Sequence, residues 1–328
     1  MKGMVKTASL LLAVLCIAGA SCRRKPEFRY EEGIAWNTLY HITYESDKDL
    51  SDSILNCLNE IDSSLSPFNQ ESVVSKINDN RSDIADRHFT AVYNESKEVN
   101  RVSDGAFDPT LAPLIRAWGF GQGHEVSAAD TLRLDSLLRL VGINKTALKG
   151  ERLYKADPAI EFNFSALAKG YGIDCIADML TRNGVTNYLV EVGGEIRASG
   201  VSPKGKKWAV GIDRPEEDAS PGETVVTLYV DSAAIATSGN YRNFRKEGDV
   251  KFGHTISPAT GRPVKTDVIS ATVIADRCMR ADALATCCMV AGSQKALDLC
   301  NRLNVGVMVI KSDMTVESNA IFKALTKQ

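Results

Sequence analysis

RADALATCCMVAG, residues 280–292, is the stretch on which the fold turns. Ala283, Leu284, Met289 and Val290 recur at helical spacing, so it reads as a buried helix. Asp282 and Thr286 break the apolar run four residues apart, which puts a carboxylate and a hydroxyl on one face, one turn apart. Both are hard oxygen donors of the type that Mg²⁺ or Ca²⁺ takes. A plainer reading makes Asp282 a helix cap and lets Thr286 bond back to a carbonyl. On the near side, Val268 to Ala275 reads as a strand. On the far side, Ser293 opens a second helix and Gly306 to Ile310 is another strand. Helices and strands therefore come in blocks, which predicts an α+β fold more than a doubly wound sheet.

The rest of the chain agrees. Tyr188 to Val192, Trp208 to Ile212 and Thr224 to Val230 read as strands, separated by surface loops at Ser202–Lys207 and Arg214–Gly222. Earlier, Ile34 to Tyr44 alternates as one strand. Leu50, Ile54, Leu58, Ile61 and Leu65 then outline a helix that Asp49 or Ser51 is fit to cap. Ser66-Pro67-Phe68-Asn69 turns the chain into a short helix at Ser72–Ile77. Phe89 to Val102 outlines a further helix, and Asp108-Pro109 opens the run to Trp118. Helices are also predicted over Ser127–Val141 and from Ser165 to Gly184. There is no internal repeat.

The chain has 328 residues, enough for one large domain or two closely packed ones. Its 39 Lys and Arg nearly balance 41 Asp and Glu, so no basic field points to nucleic acid. Lys2 and Lys6 precede the apolar run Ala8–Ala18, which leads to Gly19-Ala20-Ser21-Cys22. That pattern describes a secretory signal, and the run is short of the ~20 residues that span a bilayer. Small residues before Cys22 resemble a bacterial lipobox, although Gly19 stands where a larger aliphatic residue is usual. The expectation is a signal peptide over residues 1–21, lipidation at Cys22, a tether over 22–32 and one domain over 33–328. The chain would cross the inner membrane and stay lipid-anchored, facing the periplasm. Ordinary cleavage would leave Cys22 a free thiol. The other cysteines fit no zinc spacing and read as buried small hydrophobes, with one bridge conceivable in the C-terminal group.

Several segments carry chemistry. No Walker sequence, G-x-G-x-x-G or G-x-S-x-G is present. Ser165 to Gly172 offers a helix start with free N–H groups and Lys169, suited to phosphate; a surface lysine is the plain alternative. Gly193-Gly194-Glu195 follows a strand and allows close backbone approach, or is a simple hairpin turn. Phe107 and Asp108 sit on a Gly-flanked turn suited to a purine or amide edge, unless Asp108 only caps the next helix. Trp36 and Phe68 are able to stack a flat ring or to fill the core. His254, between a strand and a Gly/Pro turn, suits a general base or a structural role equally.

Taken in order, the motifs SPFNQESVVSKIN (66–78), DGAFDPTLAPLIRAWGFG (104–121), SALAKGYGIDCIADML (165–180), NYLVEVGGEIRASG (187–200), IATSGNYRNF (235–244), HTISPATGRPV (254–264) and ADALAT (281–286) resemble the ApbE family of FAD:protein FMN transferases, bacterial flavin-trafficking lipoproteins. The resemblance implies FAD in a cleft between two closely packed α/β subdomains, a T-fold-like arrangement. It implies Mg²⁺ held by Asp282, Thr286 and the backbone carbonyl of Ala166. It puts adenine at Ala106, Phe107 and Asp108, and the flavin ring near Trp36 to Thr38 and Phe68. Asn163, Lys169 and Ile256 also fall in motifs that line the site. FMN passes to a Thr or Ser hydroxyl of a target protein and AMP leaves. Typical acceptors are flavin-bearing subunits of redox pumps. His254 would take the acceptor's proton.

Three positions depart from the family pattern: Trp36-Asn37-Thr38 replaces an M-G-T motif, and Asn163 and Ser257 each replace an Asp. Two lost carboxylates keep open an Mg²⁺-dependent FAD pyrophosphatase. A flavin carrier without chemistry is the third expectation, disfavoured by the intact ADALAT pair.

Overall fold

A computed structural model describes residues 26–120, 133–215, 223–240, 244–247 and 250–327. The signal, Cys22 and the first half of the helix predicted at Ser127 lie outside the described residues. Strands β1 (Glu27–Ala35), β2 (Thr38–Ser46), β3 (Thr146–Lys149), β4 (Arg152–Lys155), β5 (Tyr188–Val192), β6 (Glu195–Ser199), β7 (Trp208–Asp213), β8 (Thr224–Val230), β9 (Ser232–Gly239), β10 (Phe244–Glu247), β11 (Val250–Gly253), β12 (Val268–Ala275), β13 (Gly306–Lys311) and β14 (Val316–Ser318) occur in chain order. Helices are α1 (Ser51–Leu65), α2 (Val73–Asn78), α3 (Arg87–Val102), α4 (Ala112–Ala117), α5 (Leu134–Leu138), α6 (Ala168–Arg182), α7 (Cys278–Ala291), α8 (Ser293–Arg302) and α9 (Ala320–Ala324).

One eight-stranded sheet in the order β1-β2-β5-β6-β9-β12-β13-β14 organises the chain. Every neighbouring pair in it is antiparallel. Helices cover one face, where Ile54 and Leu58 of α1 and Ile173 and Ile176 of α6 meet Ile42, Val190 and Val192. The β7–β8 hairpin and α9 cover part of the other, where Trp208, Leu228 and Phe322 meet Ile235, Ile274 and Ile310. This is the α+β architecture that the block pattern predicts.

Two boundaries differ from the sequence reading. Ile34 to Tyr44 is a hairpin, not one strand: Trp36 and Asn37 both adopt positive φ, 52° and 61°, and turn the chain. A Trp-Asn turn lacks the glycine that usually marks such a corner. Its first strand begins at Glu27, so paired backbone reaches into the stretch expected to be tether. The helix expected from Ser165 starts three residues later, at Ala168. The six described cysteines are free; Cys278, Cys287, Cys288 and Cys300 are buried as expected, with the Cys288 and Cys300 thiols 3.8 Å apart, whereas Cys57 and Cys175 are only half-buried.

Candidate active site

Two helices meet at a point where the first tolerates no side chain. A Cβ on Gly170 of α6 would lie 2.4 Å from the carbonyl oxygen of Cys278, the first residue of α7. One turn further along α6, buried Asp174 accepts hydrogen bonds from the Cys278 and Met279 N–H groups, both 3.0 Å. It thereby satisfies the open first turn of α7. Arg197 (2.9 Å) and Arg277 (3.3 Å) neutralise it. This junction fixes Asp282, whose Oδ2 accepts the Gly170 N–H at 3.1 Å. Thr286, one turn on, contacts the Ser238 hydroxyl of β9 at 3.2 Å. Asp282 is not the helix cap of the plainer reading; Asp174 takes that role.

Lys169 is no surface lysine. Its ammonium pairs with Glu195 of β6, a carboxylate with only 5% of its surface exposed. Burial pulls Lys169 down, but Glu195 and Asp282 outweigh it and the ammonium is held above its ordinary value. Burial raises Asp282, against Lys169 and the Gly170 N–H. Burial likewise pushes Glu195 up to about 7, against the pull of Lys169. The other carboxylate oxygen, Glu195 Oε2, is buried with no hydrogen-bond partner. Two carboxylates thus face one ammonium, and the cluster lacks positive charge.

The cluster opens onto a cavity of about 1110 Å³, slightly above the usual range for small-molecule pockets. Phe68, Ala106, Phe107, Asp108, Asn163, Ala166, Lys169, His254, Ile256, Asp282 and Thr286 all line it. Eleven of the positions singled out from the sequence, drawn from distant parts of the chain, therefore share one space. Phe68 presents a half-exposed ring. His254 stands edge-on to Phe120 with ring centres 6.4 Å apart.

Three expectations change in detail. Trp36 does not line the cavity: a Cβ on Gly172 would sit 2.2 Å from its ring, and its indole N–H donates to the Leu58 carbonyl at 3.3 Å. It fills the gap between α1 and α6. Thr38 is likewise absent from the lining and packs behind the cavity wall, against Gly193. Asp108 lines the cavity, but its carboxylate is engaged locally. Oδ1 accepts from the Thr110 N–H (2.9 Å) and hydroxyl (2.5 Å), and Oδ2 from the Ile143 N–H (3.0 Å) and the Asn100 amide (3.3 Å). The capping reading of Asp108 is the observed one, so the turn offers a ligand its backbone and shape. Asn163 is similar: its Oδ1 accepts the Ser165 N–H at 2.8 Å.

With this geometry in hand, the comparisons are specific. The ApbE family pattern matches residues 36–310. The chain belongs to the ApbE family. An FAD:protein FMN transferase of Vibrio cholerae is 33% identical over 322 residues, covering 94% of each chain. One of Haemophilus influenzae is 31% identical over 99% of each. The solved structure of the flavin transferase ApbE from Vibrio cholerae superposes with a TM-score of 0.82 at 31% identity, covering 92% of this chain and 99% of that one.

Among the described residues, no group of three or more His, Cys, Asp and Glu could hold a metal ion. Oxygen-bearing side chains do line this part of the cavity: the Asp282 carboxylate and the Thr286 and Ser238 hydroxyls, together with Ala166, whose backbone carbonyl the family resemblance assigns to the ion. Such a sparse hard-oxygen set suits Mg²⁺, which keeps several positions for water and phosphate oxygens. The unpartnered Glu195 oxygen in the same cavity marks the unmet positive charge. The residues present fit the ion that the family resemblance implies.

Proposed function

We propose that this chain is an Mg²⁺-dependent FAD:protein FMN transferase that esterifies FMN to a Thr or Ser hydroxyl and releases AMP. One observation carries the reading: a partly exposed Lys169 faces the buried carboxylates of Glu195 and Asp282 on the wall of a dinucleotide-sized cavity. Asp282, Thr286 and the Ala166 carbonyl would hold Mg²⁺. When bound, the ion would neutralise charge on the diphosphate.

The chain's own groups do the remaining work. The start of α6 and the Lys169 ammonium present positive charge to the phosphates. Phe68 offers a face to the flavin ring. The acceptor oxygen bonds to the FMN phosphorus, the bridging P–O bond breaks, and AMP departs with the electron pair. His254, on the cavity wall, takes the hydroxyl proton.

We further propose that the chain works outside the cytoplasm on a lipid anchor at Cys22, supported by the charged and apolar run before it. Acceptors would be flavin-bearing subunits of redox pumps.

Incubation of the chain with FAD, Mg²⁺ and such a subunit tests the reaction. AMP release matched by denaturation-resistant fluorescence on the acceptor is expected. Free FMN and AMP with an unlabelled acceptor would make the chain a pyrophosphatase; intact FAD would make it a carrier.

A further inference from the structure

Among the described residues, the outer face of the main sheet is covered at one end and bare at the other. Phe28 of β1 packs edge-on against Trp208 of β7, with ring centres 6.4 Å apart. Among the described residues, the cover stops beyond Phe28. Tyr30 (67% exposed), Ile34 (78%) and Leu39 (57%) follow on the same face, and Ile34 and Leu39 are directly opposed across the hairpin. Opposed apolar side chains on an exposed sheet face are costly to leave in water and mark a contact surface.

This bare end leads into the cavity. The Leu39 carbonyl accepts the Gly193 N–H at 2.9 Å, and Gly193 lines the cavity. His41, two residues along the same face, pairs with Glu191 at 2.7 Å, and Glu191 also lines the cavity. Glu32 faces His41 across the hairpin, so two carboxylates surround one imidazole beside the apolar pair.

We propose that this face, centred on Ile34 and Leu39, docks the acceptor protein and brings its hydroxyl over the cavity rim. The inference rests on the transferase reading, which requires a protein to reach FAD through some bounded surface. The fitting partner presents apolar side chains with a basic residue next to its hydroxyl-bearing segment. A ligand as small as FAD has no use for a patch outside the cavity, so docking is separable from FAD binding.

The test uses the full chain, FAD, Mg²⁺ and the flavin-bearing subunit of a sodium-translocating quinone reductase as acceptor. The Ile34→Glu, Leu39→Glu double variant should raise the KM for the acceptor roughly tenfold or more, as for loss of a central apolar contact, with the Kd for FAD unchanged. Val316→Glu, an exposed apolar site on β14 at the opposite sheet edge, should leave both constants as in the wild type. An unchanged acceptor KM in the double variant overturns the proposal. So does a wild-type dimer that the double variant converts to monomer, because the patch is then a self-interface. A wild type that labels no acceptor removes the transferase reading and this proposal together, which separates that failure from failure of docking alone.

Discussion

Asp282 is held at one oxygen by the Gly170 N–H and faces the charge of Lys169 across the cavity wall. Asp282→Ala should therefore abolish Mg²⁺-dependent transfer while leaving the circular dichroism spectrum native. The two aromatic positions should separate in the opposite sense to a reading from residue type. Trp36→Ala removes a half-buried side chain wedged between α1 and α6 and should cost about 2–3 kcal/mol of stability in urea melts, less than for a fully buried aromatic, with FAD affinity retained. Phe68→Ala should leave stability near wild type and weaken FAD binding, followed by flavin fluorescence. The sequence showed both rings as candidates, since an aromatic next to a turn looks alike whether it faces core or cavity. It showed Asp282 and Thr286 well because helical spacing puts them on one face. It did not show Glu195 as a partner of Lys169, because that pair joins a hairpin to a helix 26 positions away in the chain, a distance no local pattern encodes. The Glu directly after two glycines was the only hint.

At the level of elements, the junction of α6 and α7 sets the site. Asp174 caps one helix from the other and is balanced by Arg197 and Arg277. Asp174→Ala would leave the α7 N–H groups of Cys278 and Met279 open, while Arg197 and Arg277 keep Asp178 as a partner, so the cost should be about 1–3 kcal/mol, that of unsatisfied buried donors. The melting temperature should fall and Mg²⁺-dependent activity with it. A second link joins α3 to α6: the His88 ring bonds Tyr171 at 3.0 Å. Burial, with the Arg87 charge, holds His88 below its ordinary value against Asp86 and Glu60. A folded-state pKa below the unfolded one means that its contribution is present above about pH 6.5 and is lost as pH falls through the folded value. Urea midpoints should drop between pH 7.5 and 5.5 more steeply in the wild type than in His88→Gln; equal slopes would remove His88 from the account. The major helices and the strands β5, β7, β8, β12 and β13 were legible from periodicity, whereas β6, β9 and β14, which complete the main sheet, were not read as strands. The Trp36-Asn37 corner was not, because two non-glycine residues at positive φ carry no turn signature. The late start of α6 was also hidden, since Ser165 has the composition of a cap while its N–H is taken by Asn163.

Across the whole molecule, one antiparallel sheet brings β2, the β5–β6 hairpin and β9 to the same end as the starts of α6 and α7. Residues from Phe68 to Thr286 meet there, although only their order along the chain was available beforehand. The family resemblance supplied that gathering; physics supplied its local parts. The same end of the sheet carries the bare apolar face, so substrate cavity and protein surface adjoin. The most direct test of the central claim compares wild type and Asp282→Ala with FAD, Mg²⁺ and acceptor, read as fluorescence on a denaturing gel. The account predicts a labelled acceptor with the wild type and none with the folded variant. Equal labelling by the two would contradict it.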